Sequence, residues 1–151
     1  MQDARRYGMV EGFVAGALAM VSFHQPMAAV LHALGSFPVS PFDLTPKPSG
    51  LPAMVQGMMW SGGWGVLLVL LLRLRPALPL APAAIVYCST VPIAFLFLVM
   101  ATAQGAPPAF GMSMQMALSV VLAHAAWGFG IALWISGLRG LRGAPAAAGP
   151  A

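Results

Sequence analysis

Charged side chains are what this sequence has least of: its 151 residues include seven Lys and Arg and three Asp and Glu. About a quarter of the residues of an ordinary globular protein are charged, so a water-soluble surface cannot be assembled here. Cysteine is nearly absent as well. The single Cys88 rules out an intramolecular disulfide, and its apolar surroundings in the chain lack the adjacent base that activates a catalytic thiol. There is no P-loop, no G-x-S-x-G, no H-E-x-x-H, no cysteine pair at metal spacing and no run of carboxylates. An independent enzyme is therefore not expected. The alternating pattern of a membrane β-barrel is missing too.

Hydrophobic residues, at 60%, fill the space that charge leaves. They form four runs, at about 9–34, 53–72, 83–103 and 112–138, each near the roughly 20 residues that cross a bilayer. Backbone groups in hydrocarbon must be satisfied within their own segment, so the runs are expected to be helices. The predicted fold is an all-α polytopic membrane protein, a four-helix bundle forming one domain over residues 1–142. The Ala, Gly and Pro tail at 143–151 is too poor in apolar bulk to fold and is expected to be disordered. Arg5 and Arg6 precede the first run like the basic start of a signal peptide, but no small-residue cleavage site closes a short core, so the run is read as an uncleaved helix.

Between the first two runs, residues 36–50 carry prolines at 38, 41, 46 and 48 and predict an extended, partly rigid loop. Pro76, Pro79 and Pro82 separate the second and third runs, and Pro107 and Pro108 the last two. The arginines pair up as Arg5 with Arg6, Arg73 with Arg75, and Arg139 with Arg142. All fall on one side of a four-span arrangement, with only Lys47 opposite. The positive-inside rule then places both termini in the cytoplasm and the chain in a bacterial inner membrane. Such clusters beside apolar segments report topology, and no nucleic acid partner is expected.

Trp64-Gly65 and Trp127-Gly128, each followed by an apolar run and an arginine pair, echo one another, as do Pro26-Met27-Ala28 and Pro92-Ile93-Ala94. A duplication of two helical hairpins would account for both echoes; chance matches in apolar sequence would as well.

Ionisable groups inside spans are costly, which singles out His24 and His124. If they met, they would be candidates for a b-type haem, a metal or a proton relay; otherwise each would bond a backbone group and tie helices together. His32 lies near the end of its helix. With Met54, Met58, Met112 and Met116 it makes a second candidate set, because thioethers and imidazole suit Cu(I), while the members of each methionine pair stand four residues apart on one helix face. Methionine is also an ordinary packing residue. Glu11 is expected to pair with arginine at the membrane interface. Gly12, Gly16, Gly57, Ser61, Gly65, Ala126 and Gly130 recur at four-residue spacing and mark close helix packing, within the chain or with a partner. Pro26 and Pro92 predict breaks in mid-span.

With Phe23-His24-Gln25-Pro26 in the first helix, the Pro-rich loop and the Trp-Gly elements, the chain up to about Arg142 resembles small four-helix inner-membrane proteins of proteobacteria. The resemblance implies the fold and a membrane location and brings no activity, ligand or catalytic residue. Three functions stay open. The first is an accessory or scaffold subunit that joins other membrane subunits through its small-residue faces. The others are a small oligomeric transporter or copper-handling protein, and a haem b electron-transfer subunit.

Overall fold

A computed structural model describes residues 7–143, with the side chains of 142 and 143 excepted. Arg5, Arg6 and the tail beyond Gly143 lie outside the described residues. Four helices are long and apolar enough to cross a membrane: α1 (Met9–Ala33), α2 (Ala53–Leu74), α3 (Leu80–Ala103) and α4 (Met114–Gly143). No strand occurs among the described residues; the loop between α1 and α2 contains one isolated bridge, between Pro46 and Pro52.

Two boundaries differ from the sequence expectation for physical reasons. α3 begins at Leu80, three residues early, because Pro82 falls in its first turn, where backbone N–H groups have no partner inside the helix to lose. α4 begins at Met114, two residues late. Ala109, Phe110 and Gly111 all take left-handed φ values of 52°, 54° and 70°, and Met112 is extended, so no helix can start there. Met112 and Met116 therefore do not share a helix face.

Each mid-span proline borders a widened turn. Met20–His24 in α1 and Phe95–Met100 in α3 are π-helical, the first just ahead of Pro26 and the second just after Pro92. The Pro26 ring displaces the Ser22 carbonyl and offers it no N–H, and the widened turn that contains Ser22 absorbs that loss; the Cys88 carbonyl, four residues before Pro92, lies outside the second widened turn.

The helices pack in the order α2, α1, α4, α3, so that two hairpins dock through α1 and α4. Glycine sets the closeness. A Cβ built on Gly12 would lie 2.6 Å from the Gly65 carbonyl oxygen, and one on Gly16 would collide with that of Ser61. In the second hairpin, a Cβ on Gly128 would lie 2.5 Å from the Ala84 carbonyl oxygen. Gly130 gives its space to the Phe23 ring, and Gly57 faces the Met20 methyl group. Ala126 is half-buried beside Phe23. At the arginine end, Arg73 donates from Nε and Nη2 to the Tyr7 carbonyl oxygen, and the Arg139 guanidinium lies 5.0 Å from the Tyr7 ring centre. Glu11 is buried and accepts the Gly8 N–H at 2.9 Å, satisfying one of the orphan donors at the start of α1.

Candidate functional site

The widened turn of α1 brings His24 against His124 of α4. Their ring centres are 5.0 Å apart and the ring planes stand at 83°. Around them are Phe37, 6.2 Å from His24, and Trp127, 5.8 Å from His124, both edge-on. Nδ1 of His124 lies 2.9 Å from the Val120 carbonyl oxygen, which can only accept, so the proton sits on Nδ1 and Nε2 keeps its lone pair. His24 is 8% exposed, and its buried Nδ1 has no hydrogen-bond partner among the described residues. An orphaned polar atom in such a place asks for an explanation.

The pair stands between two cavities. One, of about 280 Å³, is apolar and aromatic, walled by Trp60, Trp64, Phe95 and Trp127. The other, of about 300 Å³, lies under the Pro-rich loop and is bordered by Gln25, Phe37, Asp43, Lys47, Met54 and Met112. Met20, His24, Leu96 and His124 line both. Each widened turn thus supplies part of the shared wall, the first Met20 and His24, the second Leu96.

The loop over the second cavity is held by one hydrogen bond to α1 and by others within itself. Gln25 accepts the Phe42 N–H at 2.7 Å, Asp43 accepts the Thr45 N–H and hydroxyl at 2.9 and 2.5 Å, and Lys47 reaches Asp43 at 3.1 Å. The Thr45 hydroxyl and N–H, followed by Lys47, pull the Asp43 carboxyl down to about 2.

Of the second candidate set, only Met54 and Met112 reach the site. His32 is exposed, and its Nδ1 is engaged by the Phe37 carbonyl oxygen at 3.0 Å. Met58 and Met116 line neither cavity. Met20, Met100 and Phe37 belong to the site although the sequence reading did not single them out. The spacing of four between Met20 and His24 was a signal for one of them; nothing local marks Phe37. A comparison with protein families, with curated proteins and with solved structures finds no match in any of the three.

Proposed function

We propose that the protein is a small multi-pass carrier of the inner membrane that holds a small ion or molecule at His24–His124 and exchanges it between the two cavities. The observation that carries this reading is the edge-to-face contact of two imidazoles, at 5.0 Å, in the wall that both cavities share. Costly polar groups inside a span, brought together from separate helices, are the usual mark of a binding site in transporters. The positive-inside pattern favours both termini in the cytoplasm and the Pro-rich loop outside. That orientation puts the 300 Å³ cavity on the outer side.

The other two readings are less well supported. Gly12, Gly16, Ser61 and Gly65 are spent on contacts within the chain, which weighs against their serving as the docking face of an accessory subunit. A b-type haem needs opposed imidazoles with a macrocycle between them. Taking about 2 Å for each metal–nitrogen bond and about 1.1 Å from nitrogen to ring centre, opposed rings stand about 6 Å apart. The touching pair is closer and leaves no slot.

The test is purification from native membranes in mild detergent, with elemental analysis and mass spectrometry of extracted small molecules. The carrier reading expects a metal or small molecule that travels with the wild type and is lost from folded His124→Ala. A stoichiometric protein partner, with nothing small that depends on His124, would return the accessory-subunit reading.

A further inference from the structure

We propose that the ion held at the junction is a soft monovalent metal, Cu(I), bound by His24 and His124 and completed by the thioether of Met54 or Met112 from the loop-side cavity. This rests on the carrier reading above and names its ligand class.

The ring spacing admits such a site, although edge-to-face packing of two rings spans the same distance. Two imidazoles that bind one ion at an angle near tetrahedral have ring centres about 5 Å apart, from the same bond lengths that give about 6 Å when they are opposed. The pair stands at 5.0 Å with nearly perpendicular planes. The tautomer agrees. A metal-binding imidazole is commonly oriented by donating its other N–H to a carbonyl, as His124 does to Val120. His24 offers a buried nitrogen that has no partner among the described residues.

The donors around the pair select the class of metal. Met20 from α1, Met54 from α2 and Met112 from the turn before α4 border the same 300 Å³ cavity as both imidazoles. Thioether side chains are flexible enough to close on an ion, and they prefer soft ones. Among the described residues, no group of three or more His, Cys, Asp and Glu could hold a metal ion, so the carboxylate and thiolate sets of Ca²⁺ and structural Zn²⁺ are not offered. Burying one positive charge also costs far less than burying two. The one ammonium at this cavity, Lys47, is matched by Asp43 at 3.1 Å.

The experiment titrates the full chain in detergent, without oxygen, with Cu(I) against a chromophoric Cu(I) chelator, and records X-ray absorption on the loaded protein. One Cu(I) per chain is expected, with both nitrogen and sulfur neighbours. His124→Ala, or His124→Gln where alanine misfolds, should weaken binding by more than about 100-fold, beyond the 10–100-fold typical of outer-shell partners. The double variant Met54→Leu/Met112→Leu should lose about 10-fold, while Met58→Leu/Met116→Leu and Cys88→Ser keep wild-type affinity. The proposal is overturned by a folded wild type that retains no Cu(I), by equal affinity in the two methionine pairs, or by Zn²⁺ binding as tightly. If native protein carries a His124-dependent small molecule yet ignores Cu(I), the ligand class falls and the carrier reading stands; if neither is seen, both fall.

Discussion

The indole N–H of Trp127 donates to the Gly16 carbonyl oxygen across 3.0 Å, linking α4 to α1 one turn from the paired imidazoles. That carbonyl also accepts the Met20 N–H, at the start of the widened turn of α1. Trp127→Phe removes the donor together with the five-membered part of a ring that is 2% exposed. The expected cost is about 1 kcal/mol for the bond, as measured between membrane helices, plus that of the space left behind. Thermal unfolding in detergent checks it; a Trp127→Phe variant as stable as wild type would mean that the bond contributes nothing.

Close approach of α1 and α2 should depend on missing side chains. Gly12→Ala places a methyl group 2.6 Å from the Gly65 carbonyl oxygen, a backbone atom that cannot swing aside. A loss of about 1–3 kcal/mol is expected from overpacking. Gly63→Ala is the control, since nothing lies within 4 Å of its added Cβ, and helix propensity should leave it neutral or stabilised by up to about 1 kcal/mol. Equal melting temperatures for the two variants would contradict the packing described.

The turn ahead of α4 has strain that can be relieved. Ala109 sits at φ 52°, where an L-residue loses about 1–2 kcal/mol relative to a right-handed helical conformation. Ala109→Gly recovers that but adds about 0.4–1 kcal/mol of unfolded-chain entropy, so a net gain between zero and about 1.6 kcal/mol is expected. Gly111→Ala should go the other way, since Gly111 has φ 70°. A lower melting temperature for Ala109→Gly would show that the turn is not left-handed.

Asp43 gives the loop its response to pH. Its carboxyl is lowered from 3.8 to about 2 in the fold, so ionised Asp43 stabilises the loop in full above the ordinary value. That contribution is lost as pH falls through the folded value, between about 4 and 2. Carbon-13 NMR of the Asp43 carboxyl should titrate near 2 and move upward in Thr45→Val. A midpoint at 3.8 in the wild type would mean that the Thr45 contacts do not form.

The four helices could be read from the sequence because hydrocarbon demands long apolar runs and the prolines between them end those runs. Rotation about each helix axis could not, since a helix that is apolar all round carries no periodic mark of its inner face. His24 and His124 were visible as costly residues, but their meeting depends on the widened turn before Pro26, and proline shows where a ladder breaks rather than how it is mended. Met112 reads as helical because it opens the apolar run at 112–138, and the shared face with Met116 follows from that. The left-handed Phe110 that prevents this has no local signature. Gly12 and Gly65 showed a tendency to close packing without naming their partners, which the fold places opposite one another.

Three of the four seams between neighbouring helices contain a glycine contact: Gly12 with Gly65, Gly128 with Ala84, and Gly130 with Phe23. The fourth, between α2 and α3, is bridged by rings, with Trp64 and Trp60 at 5.5 and 6.4 Å from Phe95. The Gly12–Gly65 and Gly128–Ala84 contacts set backbone against backbone, whereas rings can tilt and slip over one another with little loss of contact. The seam where α2 meets α3 is therefore the one whose contacts can give most easily. The aromatic cavity lies behind that side, so its volume depends on how those rings pack.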